Sequence, residues 1–272
     1  MKKGKPKAKE TKKEVMGATP ATKATPTGVF SLLKLALDEL VRNPMLFAPK
    51  FVSVTVYAVI YAWIIAETKA TLATGTISPG YFFANIAALL FMPAWIAIDS
   101  MYPKLVEQLL AQKRLDFWEA IKHSLSKFFS VFAFMLSFMF ISVLLAFPFI
   151  MLAADGMTTG NAASIAGGAA GALFVLFVLV VVSYFMPTSI LLEKKGLVES
   201  VVEGFGATRK NLKLVLALSI FSFVVLIAGF ALEGAMEGIG IAGFVIARYL
   251  GGVLTVYLYV INPTAYIETE KE

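Results

Sequence analysis

The chain has 272 residues, 58% of them apolar and 15% charged, with a formal charge of +6, one histidine and no cysteine. A soluble domain carries about a quarter charged residues, so this composition points to the membrane, and the missing cysteines exclude disulfides, thiolate catalysis and cysteine-held metals. One histidine excludes a multi-histidine metal site in a single copy, and basic excess in so apolar a chain reflects topology and anionic lipid headgroups rather than nucleic acid.

Residues 1–28 hold eight lysines among Thr, Ala, Gly and Pro. With almost nothing to bury, this segment is expected to be a disordered, basic cytoplasmic tail. It does not read as a signal peptide, because no apolar h-region follows the charges before residue 44. Over residues 29–42 the polar Ser31, Lys34, Asp38 and Arg42 recur every three or four positions. That is an amphipathic helix with a narrow polar stripe, suited to the membrane interface. Asn43-Pro44 then offers an N-cap followed by a first-turn proline.

Six apolar runs follow, over about residues 45–66, 81–101, 127–154, 162–192, 212–232 and 239–261. Each is long enough for a hydrocarbon core of about 30 Å at 1.5 Å per residue. Polar breaks at 67–80, 155–161 and 233–238 make three hairpins. Between the hairpins lie amphipathic stretches at 103–126, in two pieces, and at 197–207. Asp116 with Glu119 reads as a capping box for the second piece of the first. The fourth run is too long for a perpendicular crossing, so it tilts or kinks at Pro187. Of 24 Lys and Arg residues, 21 fall on the side holding both termini and only Lys69 falls in the opposite loops. That asymmetry predicts cytoplasmic termini.

The order of features also repeats. Phe91-Met92-Pro93 leads to Asp99, Phe185-Met186-Pro187 to Glu193, and Asn262-Pro263 to Glu268, with an amphipathic segment after the first two acids. The pattern reads as a threefold internal repeat of one membrane hairpin. In each copy a proline loosens the helix near its cytoplasmic end, and the acid marks where the chain reaches water.

Three short stretches carry a resemblance to known proteins: Leu40-Val41-Arg42-Asn43-Pro44-Met45-Leu46-Phe47, Phe117-Trp118-Glu119-Ala120-Ile121, and Val201-Val202-Glu203-Gly204-Phe205 leading to Arg209-Lys210-Asn211. The chain resembles a broad group of mostly uncharacterised prokaryotic six-span proteins, which includes the membrane domain attached to some bacterial glycerophosphodiester phosphodiesterases. The resemblance covers most of residues 29–267. It implies an architecture and lends no catalytic residue.

Chemistry-bearing residues are few. Arg248 lies near the middle of the sixth run, where an arginine costs about 2.5–3.5 kcal/mol, so it is expected to face the bundle interior with a partner. It serves either as a helix-locking clamp or as a site for an anion or lipid headgroup. Glu233 and Glu237 are expected to lie outside, at another depth. Lys50 and Asp99 lie just inside the cytoplasmic ends of the first two runs; they pair, or each snorkels to the interface. His123 is expected to be a solvated or headgroup-level residue. Ser164-x-x-x-Gly168 and Gly167-x-x-x-Gly171 give the fourth run a small-residue face for close helix approach. No nucleophile–base constellation or phosphate-binding loop is recognisable, so no catalytic residue, cofactor or metal site is assigned.

The expected architecture is all-α, with six transmembrane helices and three cytoplasmic interfacial amphipathic helices. The expected role is non-enzymatic, in membrane scaffolding or in envelope or lipid organisation, with membrane lipids and a membrane-protein partner. The alternative is a small transporter or channel built around Arg248.

Overall fold

The structure, a computed structural model, describes residues 28–237 and 239–270. Expectations for residues 1–27 and for the Glu237 side chain lie outside what it describes. Among the described residues there are ten α-helices: α1 (Val29–Arg42), α2 (Phe47–Thr74), α3 (Pro79–Asp99), α4 (Tyr102–Leu110), α5 (Phe117–Thr159), α6 (Ala162–Ser183), α7 (Met186–Leu192), α8 (Leu197–Lys210), α9 (Leu212–Glu237) and α10 (Ile241–Thr269). A single 3-10 turn, Pro44–Leu46, joins α1 to α2. Six stretches are long and apolar enough to cross a membrane, with α3–α4 and α6–α7 each counted as one.

Local chemistry sets most boundaries. The Asp116 carboxylate accepts the Glu119 N–H at 2.9 Å and starts α5. Asn161 caps α6 through the N–H groups of Ala163 and Ser164, and Ser78 caps α3 through Tyr81. Gly75 and Gly160 end α2 and α5 at φ values of 68° and 70°, where a Cβ is unfavourable.

Several boundaries differ from the sequence expectation. Residues 67–74 continue α2 instead of forming a loop, because the Glu67 carboxylate receives the Ser78 hydroxyl at 2.6 Å and the Trp63 indole N–H. Residues 117–126 are not a separate amphipathic helix but the first turns of the 43-residue α5. Asn43 does not cap the following helix. Its side-chain amide donates to the Glu39 carbonyl at 3.0 Å and closes α1. The fourth run breaks at Tyr184–Phe185, just before Pro187, which supplies the first-turn proline of α7. The sixth helix continues through Pro263 to Thr269.

The long helices alternate in direction as three hairpins, α2–α3, α5–α6 and α9–α10. The α5–α6 seam uses the small-residue face: a Cβ on Gly168 would lie 2.5 Å from the Ala153 nitrogen, whereas Gly167 barely reaches α5. α10 packs against α9, α2, α4 and α1 and has the most buried span of the six.

The core is not centred in the spans. Its largest cluster joins Leu32, Leu46, Tyr102, Leu105, Phe185 and Val260 at the end of the bundle that holds α1, α4, α7 and α8. Side chains there tie helices together by donating to backbone carbonyls. Tyr102 donates to Leu46 and Tyr257 to Leu33, both at 2.9 Å. Ser124 donates to Ala97 at 2.6 Å and Ser189 to Ser200 at 2.8 Å. His123 belongs to this set rather than to the solvated surface: its Nε2–H donates to the Leu191 carbonyl at 2.5 Å and joins α5 to α7. Of these acceptors, the Ala97 and Leu191 carbonyls lie in the last turns of α3 and α7, where a helix end leaves carbonyls open.

Gly204 of α8 sits where α7 comes closest, and a Cβ there would lie 2.7 Å from the Met186 Cα. Gly204→Ala is therefore expected to cost about 1–3 kcal/mol through overpacking and to lower the melting temperature in detergent. Gly206→Ala, on the same helix with nothing within 4 Å of the new methyl group, is the control and should hold or raise it.

Candidate functional site

α10 carries two polar centres about 16 Å apart along its axis, from Arg248 to Tyr259 at 1.5 Å per residue. The first forms where α2 and α3 converge on α10. Lys50 is 5% exposed, and its Nζ meets the two carboxylate oxygens of Asp99 at 3.0 and 2.9 Å. The Tyr259 hydroxyl donates to Asp99 Oδ2 at 2.8 Å. The ammonium also lies 5.4 Å from the Trp95 ring centre and 5.1 Å from that of Tyr259, within cation–π range. Of the two arrangements open to Lys50 and Asp99, the protein adopts the pair.

The second centre corrects an expectation. Glu233 lies not in a loop outside the membrane but in the last turns of α9, and its carboxylate meets Arg248 Nη2 at 3.3 Å. The apolar run ends at Leu232, but the helix does not, so the acid reaches the depth of the arginine across the hairpin. Tyr57 and Phe244 add ring faces 5.1 and 5.0 Å from the guanidinium carbon. Such contacts, with the carboxylate, offset the cost of an intramembrane arginine. Gly251 makes this possible, since a Cβ there would stand 3.2 Å from Glu233 Oε1. One guanidinium donor is left over: the Arg248 Nε–H is buried without an acceptor.

Arg248 therefore does not join Lys50 and Asp99 in one ion cluster. Arg248, Glu233 and Lys50 nevertheless line a single cavity of about 260 Å3 between α2, α9 and α10, with Gly251 and Gly252 in its wall. A second cavity, of about 530 Å3, lies beyond the Lys50–Asp99 pair among α3, α5, α6, α7 and α10. Trp95 and Leu258 border both, so the pair and these two side chains form the partition. No group of three or more His, Asp or Glu side chains is placed to hold a metal among the described residues.

Sequence reasoning missed Glu233, Trp95 and Tyr259 as partners. Two left a signal. Trp95 precedes Asp99 by four residues, hence on the same helix face, and Tyr259 follows Arg248 by eleven, three turns on and again in line. The partnership of Glu233 with Arg248 depended on where α9 ends, which hydropathy places too early.

A family model described as "Domain of unknown function (DUF7847)" matches residues 28–261 of the chain. No curated protein and no solved structure matches it.

Removing one member of a buried ion pair leaves an uncompensated charge, at about 3–5 kcal/mol. Lys50→Met or Asp99→Leu alone should therefore sharply reduce folded yield and melting temperature. The double variant should recover most of the loss. Thermal unfolding in detergent of the four proteins measures the coupling; additive losses would mean that the pair does not hold α2 to α3.

Proposed function

From the premise that the chain belongs to the DUF7847 family, we propose that it is a non-enzymatic protein of the cell membrane that organises lipid around a cytoplasmic platform. The observation that carries this reading is the distribution of burial. Within the most apolar window of each of the six spans, only 6–33% of the residues are buried in the protein. The apolar flanks of α5, α6 and α9 thus offer their surface to lipid, while cohesion comes from the opposite end of the molecule. A channel would instead close its spans around a polar lining.

In this reading α1, α4 and α8 lie at the cytoplasmic interface, with both termini on that side. The Lys and Arg asymmetry supports the orientation. The exposed Lys113, Lys122 and Lys194 make this the face that attracts anionic headgroups, each basic residue contributing about 1 kcal/mol near the surface. The internal repeat belongs to the same proposal. Its support is that the acids of the first two units receive parallel contacts: Tyr259 donates to Asp99 at 2.8 Å and Tyr266 to Glu193 at 3.1 Å, seven residues apart on α10. A membrane-protein partner would use the same platform.

A second reading, a small transporter with Arg248 in an anion or headgroup site, draws on the cavity that Arg248 and Lys50 share. Native mass spectrometry of the protein released from its own membranes separates the two. Several retained anionic phospholipids, undiminished in Arg248→Ala, are the expected result. A single retained solute that disappears in Arg248→Ala would replace the first reading with the second. The orientation has its own check, because the chain has no cysteine. An impermeant maleimide should label Thr76→Cys on intact cells and Lys113→Cys only after permeabilisation; the reverse pattern would invert the topology.

A further inference from the structure

The larger cavity, about 530 Å3, falls within the size range of about 300–1,000 Å3 typical of small-molecule sites. Its walls divide by chemistry. Ile96, Val131, Phe134 and Val180 form an apolar side, and Met92 and Met135, 39% and 45% exposed, stand on α3 and α5 as a flexible rim toward the lipid. The opposite side is polar: Thr188, Asn262, Tyr259, Ser183 and Asp99, joined by Ser100, Tyr184 and Ser222. Thr188 is only 2% exposed.

The polar side has a direction. Thr188 donates its hydroxyl proton to Asn262 Oδ1, and the Asn262 amide donates to the Tyr184 carbonyl at 2.6 Å. Tyr259 donates to Asp99, and Ser183 donates to the Leu179 carbonyl at 2.7 Å. The hydroxyl protons of Thr188, Tyr259 and Ser183 and one of the two Asn262 amide protons are thus committed within the protein, while each hydroxyl and amide oxygen keeps lone pairs. Pro187 and Pro263 add to the same balance. Neither has an N–H, so the Ser183 and Tyr259 carbonyls lose the donor four residues on. The wall therefore offers acceptors. Its one carboxylate is already neutralised by Lys50, so it does not call for a cation. A phosphate, itself acceptor-only, would meet lone pair against lone pair.

We propose that this cavity binds an uncharged amphiphile whose hydroxyl headgroup donates hydrogen bonds to Thr188, Asn262 and Tyr259, with a single hydrocarbon chain passing out between Met92 and Met135. The break at Tyr184–Phe185 and the proline at 263 are the backbone devices that open the site. Irregular helix at membrane depth is tolerated where it lines a cavity. The site lies on the far side of the Lys50–Asp99 partition from Arg248, and it does not depend on the cytoplasmic platform.

The test uses the full chain in detergent with three probes sharing one oleyl-length chain: 1-monooleoylglycerol, 1-oleoyl lysophosphatidic acid and oleylamine. Native mass spectrometry and thermal unfolding should find one copy of the monoacylglycerol retained and stabilising. It should bind tighter than either charged probe by a factor on the order of ten or more. Met135→Trp, which fills the exposed rim, should lose that copy while the unliganded melting temperature stays unchanged. Met92→Trp replaces it from the other side if Met135→Trp fails to fold. Tighter binding of the phosphate or amine probe, retention of the alcohol in both rim variants, or no stoichiometric alcohol would each overturn the proposal. Phosphate-headed lipid retained equally by wild type and rim variants belongs to the cytoplasmic surface and leaves the lipid-organising role intact.

Discussion

The contact on which the bundle depends is the pairing of Lys50 with Asp99, closed by the Tyr259 hydroxyl. It joins α2, α3 and α10 at one point, and each of its charges would be expensive alone in a hydrocarbon environment. A buried pair of this kind is weak as a source of net stability but strong as a constraint on arrangement, since neither partner tolerates separation. It holds the first hairpin against the last helix and so brings residues 160 apart in the chain into register. It also separates two cavities of different character, one reached by Arg248 and one lined by acceptors.

Around that joint the protein divides its forces between its two ends. Where α1, α4, α7 and α8 meet the ends of the long helices, aromatic and aliphatic side chains interlock and hydroxyls donate to backbone carbonyls of neighbouring elements. Along the hydrocarbon depth the helices are held by small residues at seams such as Gly168, by aromatic contacts and by the Arg248–Glu233 pair. This follows from the solvent. Lipid tails are as apolar as leucine, so burial of apolar side chains against one another gains little there, and packing, polar contacts and close backbone approach carry association. The largest apolar core forms instead at the end of the bundle where the short helices pack.

Much of this was legible in the amino-acid order. Uninterrupted apolar runs mark six spans because an unpaired backbone in lipid has no alternative to helix. Capping chemistry at Asp116 was visible as a local pattern, and the helix starts there. The break before Pro187 follows from the ring's missing N–H. The failures have a common cause. Asn43 was read as a cap for the helix after it and instead closes the helix before it. Glu67 and Glu233 were read as loop acids because they end apolar runs, yet both sit inside helices against partners from a neighbouring element. His123 was read as a solvated or headgroup-level residue without a protein partner in view, and its ring joins α5 to α7. Hydropathy prices a side chain by its average environment and knows nothing of the carbonyl or cation waiting opposite.

By itself the sequence determined the class of solvent, the number of crossings and where the chain must bend, since these rest on composition, length and backbone chemistry that act locally. Only the tertiary structure decided who answers each buried charge: Asp99 and Tyr259 for Lys50, Glu233 and three aromatic rings for Arg248. It also decided that Thr188 of α7 and Tyr259 and Asn262 of α10 line one cavity. Those outcomes depend on the rotation and depth of one helix against another, which side-chain packing sets and residue order alone leaves open.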